Sequence, residues 1–111
     1  MDIKGACKIL KIYISEDSEY KNHNLYHAIV LKLKEADIAG VTVYRGIEGY
    51  GKGKRINSVR LLELSSSLPI IIEAIDKSEK IKKALPLIEE MVGEGLIMIM
   101  DCEVIKYGKN L

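Results

Sequence analysis

Phenylalanine and tryptophan are absent from this chain of 111 residues, and six tyrosines are its only aromatics. The core must therefore be built from aliphatic side chains. The two cysteines, Cys7 and Cys102, are too few for a disulfide framework or a thiolate metal cluster. Both stand in strand-like surroundings and read as buried, reduced thiols. Two prolines leave long stretches free to form regular structure. Charge of one sign is also missing: 17 basic side chains meet 16 acidic ones, for a net charge of +1. That balance argues against a surface that coats nucleic acid. The apolar runs fall far short of the ~20 residues needed to cross a bilayer. Met1-Asp2-Ile3-Lys4-Gly5 opens no apolar leader ending in a cleavage site, so a cytoplasmic location without membrane insertion is expected. With 48% hydrophobic and 30% charged residues, the composition is that of one globular domain over 1–111.

Periodicity divides the chain into six elements. Cys7 to Ser15 alternates as a strand, with Leu10, Ile12 and Ile14 on one face and Cys7, Ile9, Lys11 and Tyr13 on the other. Glu16 to Asn24 is polar and reads as a loop. Leu25 to Ala36 predicts a helix with Leu25, Ile29, Leu33 and Ala36 on its apolar stripe, Asn24 as N-cap and Gly40 past its end. Val41 to Ile47 is a second strand, rich in β-branched residues. Leu68 to Ile75 is a third strand, with residues 57–64 a short extended arm and Ser65-Ser66-Ser67 a turn before it. Asp76 or Ser78 is expected to cap a second helix with Ile81, Leu85, Ile88 and Val92 inward and Pro86 producing a kink or a break. Leu96 to Tyr107 is the fourth strand.

The order is β-α-β-β-α-β. It predicts an α+β, ferredoxin-like sandwich: a four-stranded antiparallel sheet with two helices on one face. Helices cover one face only, yet strands one, three and four are apolar on both. Ile9 and Tyr13, one of the sets Ile70/Ile72 and Ile71/Ile75, and one of the sets Ile97/Ile99 and Met98/Met100 are left without a partner. An apolar sheet face of that size predicts packing against further copies of the chain.

The candidate site is the segment 46–58, with four glycines between residues 46 and 53. Repeated glycine suits neither helix nor strand, so a mobile loop is expected. From Arg45 to Arg60, five basic side chains (Arg45, Lys52, Lys54, Arg55, Arg60) face Glu48 alone. Glycines that turn successive N–H groups inward, with cations beside them, make an anion site. No P-loop or dinucleotide fingerprint is present, so a solvated hairpin is the competing reading. His23 and His27 have ligand spacing but no third donor nearby and read as a surface pair, with no metal. The serine triplet lacks a nucleophile context, and no acid-base set emerges, so an enzyme is not expected. RNA-recognition sheets of this fold need adjacent aromatics, which are absent here.

Leu25-Tyr26, the block Ile38-Ala-Gly-Val-Thr-Val-Tyr-Arg-Gly-Ile-Glu-Gly-Tyr-Gly51, Leu68-Pro69, Leu85-Pro86-Leu87 and Met91-Val-Gly-Glu-Gly-Leu96 resemble the small, uncharacterised PII-like proteins grouped as a domain of unknown function. Members of that group are often encoded beside fluoride exporters. The fold is similar to that of the nitrogen-regulatory PII signal proteins, trimers that bind adenine nucleotides between subunits. The resemblance implies a trimeric, non-enzymatic regulator with a membrane transporter as its target. It implies a nucleotide site at Gly49, Gly51, Lys52, Lys54 and Arg55, with Gly93 and Gly95 after the second helix and Lys106 in Lys106-Tyr-Gly-Lys109. Gly51 and Gly93 are expected to admit close backbone approach, and the cations to converge on the phosphates. The chain departs from PII proper in lacking the phosphate-binding lysine after the second helix and the modified loop tyrosine. A ligand-independent interaction subunit and a small anion-handling enzyme are the alternative readings.

Overall fold

The structure, a computed structural model, describes residues 3–58 and 67–108. Arg60, the outer part of the expected arm, Ser65, Ser66 and Lys109 lie outside the described residues. Its elements run β1 (Gly5–Ser15), β2 (Glu19–Tyr20), β3 (His23–Asn24), α1 (Leu25–Glu35), β4 (Gly40–Arg45), β5 (Glu48–Gly49), β6 (Asn57–Ser58), β7 (Pro69–Asp76), α2 (Ser78–Met91) and β8 (Leu96–Val104). The main sheet has the order β4-β7-β1-β8, and all its pairings are antiparallel. The expected β-α-β-β-α-β sandwich is therefore present, with two small two-stranded ladders added to it.

The core lies between the sheet and the helices. Leu10, Ile12 and Ile14 of β1 and Ile70, Ile72 and Ala74 of β7 are buried there against Leu25, Ile29 and Leu33 of α1 and Ile81, Ala84, Ile88 and Met91 of α2. Leu10, Ile12, Ile29, Leu33, Ile72, Ile81 and Ile88 each expose 1% or less, so apolar burial on this face is essentially complete. Ile97 and Ile99 of β8 pack on the same side.

Local turns account for most departures from the sequence expectation. The polar segment after β1 folds into the β2–β3 ladder, because Lys21 (φ 50°) and Asn22 (φ 66°) both take the left-handed conformation that tight hairpins need. Asn24 caps α1 as expected, its side chain accepting from the His27 N–H. The residue that turns the chain out of α1 is Asp37 (φ 61°), whereas Gly40 already begins β4. Neither Asp76 nor Ser78 is the N-cap of α2; that position is Lys77, without a side-chain cap bond. Asp76 is wholly buried just ahead of it and accepts from the N–H groups of Lys77 (2.6 Å) and Ala39 (2.9 Å). It thereby joins the start of β4 to the start of α2. Helix α2 is one continuous segment through Pro86. Strand β8 ends at Val104, three residues before the expected Tyr107.

Candidate functional site

The basic, glycine-rich segment leaves β4 along the start of β7. The Gly46 N–H donates to the Pro69 carbonyl at 2.8 Å. A Cβ on Gly46 would stand 2.8 Å from the Pro69 ring, so any larger residue there would have to displace that ring. Glu48 then pairs with Ser58, and Gly49 with Asn57. The Lys54 N–H donates to the Gly51 carbonyl at 2.9 Å, with Lys54 at φ 63°. The segment expected to avoid strand structure thus folds its two ends into a ladder that contains Gly49, and Ser58 is buried at its base. Its tip exposes Lys52, Lys54 and Arg55 together with Tyr50 and Ile56, and Ile47 is 76% exposed beside it. Lys54 Nζ lies 5.3 Å from the centre of the Tyr50 ring, a cation–π pair. At the root, Arg45 meets Glu16 at 3.5 Å.

Gly93 and Gly95 lie in the turn between α2 and β8. Gly95 (φ 153°) passes so close to β1 that a Cβ would stand 2.6 Å from the Tyr13 carbonyl oxygen. A Cβ on Gly93 or on Gly51 would meet nothing within 4 Å. Within one chain, therefore, Gly95 is required by close backbone approach, and Gly51 and Gly93 are not.

Strand directions decide which of these groups meet. Arg45 is opposite Ile70, Ile70 opposite Ile14, and Leu96 opposite Tyr13. The basic hairpin and the Gly93–Gly95 turn therefore lie at the same end of the sheet, on its two opposite edges. Lys106 follows Val104, which pairs with Gly5 at the other end. The nine residues of β8 span roughly 30 Å. The convergence of Lys106 with Lys52, Lys54 and Arg55 expected from the sequence does not occur within one chain. It requires the end of one chain to meet the opposite end of another.

The sheet face away from the helices is a grid of three complete rows. Tyr44, Ile71, Tyr13 and Leu96 form the first; Thr42, Glu73, Lys11 and Met98 the second; Gly40, Ile75, Ile9 and Met100 the third. Of the alternatives left open by the sequence, Ile71/Ile75 and Met98/Met100 are the outward sets. At the centre of this face, Lys11 Nζ meets Glu73 at 3.3 Å and the Tyr44 hydroxyl donates to Glu73 at 2.7 Å. The Tyr44 hydrogen bond, followed by the Lys11 ammonium, holds the Glu73 carboxyl below its ordinary pKa. Its hydrogen bond with Glu73 raises Lys11, and the same carboxylate raises Tyr44. A hollow of about 280 Å³ beside this cluster is lined by Ile9, Thr42, Ile75 and Tyr107. The Tyr107 hydroxyl donates to the Ala39 carbonyl and straps the chain beyond β8 across to the start of β4. Lys11, Glu73 and Tyr44 were not singled out from the sequence; the one available signal was a charge on the outward parity of two otherwise apolar strands.

His23 and His27 are both exposed, and among the described residues no group of three or more His, Cys, Asp and Glu side chains is placed to hold a metal ion. Among them, no helix is long and apolar enough to cross a membrane.

The model of the family DUF190, described as uncharacterized ACR, matches residues 7–104. A UPF0166 protein of Aquifex aeolicus is 44% identical over 100 residues, covering 88% of this chain and 92% of that protein. A UPF0166 protein of Methanocaldococcus jannaschii is 42% identical, covering 89% and 92%. Among solved structures, CPII of Thiomonas intermedia K12, a nitrogen regulatory PII-like protein bound to ADP, AMP and bicarbonate, superposes with a TM-score of 0.65 at 19% identity, covering 91% of this chain and 90% of that one. A Thermus thermophilus protein described as a putative PII-like signaling protein gives 0.66 at 17% identity, covering 91% of each. At these identities the likeness establishes the fold.

Proposed function

The chain belongs to the DUF190 family and has the fold of PII-like proteins, and on that footing we propose that it is a non-enzymatic regulator that works as a trimer. Three copies pack through the outward sheet faces, and an adenine nucleotide binds in the clefts between them. The observation that carries this reading is the separation of the site residues. The hairpin cations and Lys106 lie at opposite ends of one sheet, so a phosphate site using both must be shared between chains. The grid of apolar residues on the outward face supplies a surface for that packing. CPII, of the same fold, is described as bound to ADP and AMP, which supports the choice of ligand. Phosphate contacts at Gly49, Gly51, Lys52, Lys54 and Arg55 then order the tip 50–56, which docks on a partner. A membrane transporter such as a fluoride exporter is the partner that the family resemblance suggests. Cytoplasmic residence follows from the same reading.

The exposed Ile47, Tyr50 and Ile56 favour a second reading, in which the hairpin grips its partner without any nucleotide. Calorimetric titration with ATP, ADP, AMP and their cyclic forms, on protein whose mass is measured by light scattering, separates the two. The proposal expects a trimer that binds at least one nucleotide. A monomer overturns the shared cleft, and a trimer that binds none of them leaves the ligand-independent subunit.

A further inference from the structure

Cys7 and Cys102 occupy facing positions in the register of β1 and β8. Both are free; Cys7 is buried and Cys102 half-buried. Facing residues of an antiparallel pair send their side chains to the same side of the sheet, with Cα atoms about 4.5 or 5.5 Å apart depending on the rung. A disulfide spans Cα separations of roughly 4.4–6.8 Å. Either kind of rung therefore lies inside that range of Cα separations. Burial, followed by the neighbouring Cys7 and Asp101, raises the Cys102 thiol above its ordinary value.

We propose that Cys7 and Cys102 form a reversible cross-strand disulfide when the protein meets hydrogen peroxide, fastening the edge strand β8 to β1. The pair stands at the end of the outward face, one row beyond Ile9 and Met100, and Cys102, the more exposed of the two, reacts first. Its thiolate attacks one peroxide oxygen and the O–O bond breaks. The other oxygen leaves as hydroxide and takes up the thiol proton, giving water and a sulfenic acid on Cys102. The Cys7 thiolate then attacks that sulfur, the S–S bond forms, and the hydroxyl departs as a second water with the Cys7 proton. Two thiols are oxidised by two electrons and one peroxide is reduced. Burial of Cys7 shields it from direct attack and leaves it to resolve the sulfenic acid.

The bridge closes a loop containing nearly the whole chain and fixes the last rungs before Val104, the point from which Lys106 and Tyr107 extend. It does not depend on any nucleotide.

Reduced protein titrated with hydrogen peroxide, then alkylated under denaturing conditions and weighed intact, tests this directly. The expected product has lost two hydrogens and both alkylatable thiols together. It yields one peptide pair joining the Cys7 and Cys102 fragments, is restored by dithiothreitol, and melts several degrees higher than the reduced form. Cys7→Ser should accumulate a sulfenic acid on Cys102 that dimedone traps, whereas wild type should not. Oxygen adducts on wild type without a bridge, a bridge between chains, or thiols that stay reduced would each overturn the proposal. These readouts on wild type hold whether or not the variant folds.

Discussion

Lys11 and Glu73 face one another across β1 and β7, 3.3 Å apart, at the centre of a sheet face whose neighbouring positions are Ile9, Tyr13, Ile71, Ile75, Met98 and Thr42. On an open surface such a pair contributes little. Between packed sheets it would be dry, and removing one member would strand the other's charge. Glu73→Ala should accordingly weaken self-association by about tenfold or more while leaving the secondary structure intact. Sedimentation at a series of concentrations reads this, and an unchanged association constant would place the outward face outside the interface.

The same cluster fixes a pH window. Glu73 has its carboxyl lowered by Tyr44 and Lys11, so its contribution is present above the ordinary value of 4.5 and disappears as pH falls through the lower, folded value. Lys11 and Tyr44 are raised, so their contributions are present below their ordinary values of 10.5 and 10.0 and are lost as pH rises through the folded ones. Folding stability measured across pH should show a plateau between those limits and fall on both sides, by a small amount because these groups are exposed in the single chain. In Glu73→Gln the acid-side fall attributable to this group should vanish.

Charge and backbone room can be separated in the hairpin. Charge-assisted contacts to a phosphate contribute roughly 1.5–3 kcal/mol, so Lys52→Ala should weaken nucleotide binding by about tenfold or more. Gly51 has no positive φ and open space around its Cα, so Gly51→Val should fold and should keep the hairpin cations in place. A titration in which Lys52→Ala binds as tightly as wild type would remove the hairpin from the site.

Gly95 is the glycine whose replacement the fold cannot absorb. Its added Cβ would meet the Tyr13 carbonyl at 2.6 Å, and backbone cannot swing aside as a side chain can. Gly95→Ala should destabilise by about 1–3 kcal/mol, read as a drop in the denaturation midpoint. Gly93→Ala, with nothing within 4 Å, is the matched control.

The main elements were legible in the sequence because alternation and helical spacing are local properties. Leu10, Ile12 and Ile14 declared one strand face, and Leu25, Ile29 and Leu33 one helix stripe; both are buried as expected. Local reading failed where a few dihedrals decide. The hairpin at Lys21–Asn22, the exit from α1 at Asp37 and the turn at Lys54 all rest on positive φ in residues other than glycine. The glycines drew attention to the segment 46–58 but concealed the short ladder at its base.

The order of strands and helices, the aliphatic core and a second apolar sheet face can thus be read along the chain. Which of the sets in β7 and β8 looks outward depends on the packed fold, because two apolar parities are equivalent until the helices cover one of them. The fold likewise decides that Lys11, Glu73 and Tyr44 form one cluster, that Cys7 faces Cys102, and that Lys106 lies at the far end of the sheet from the basic hairpin. Each of these follows from strand order, direction and register, which bring together or separate residues many positions apart, and no local pattern in a chain records them.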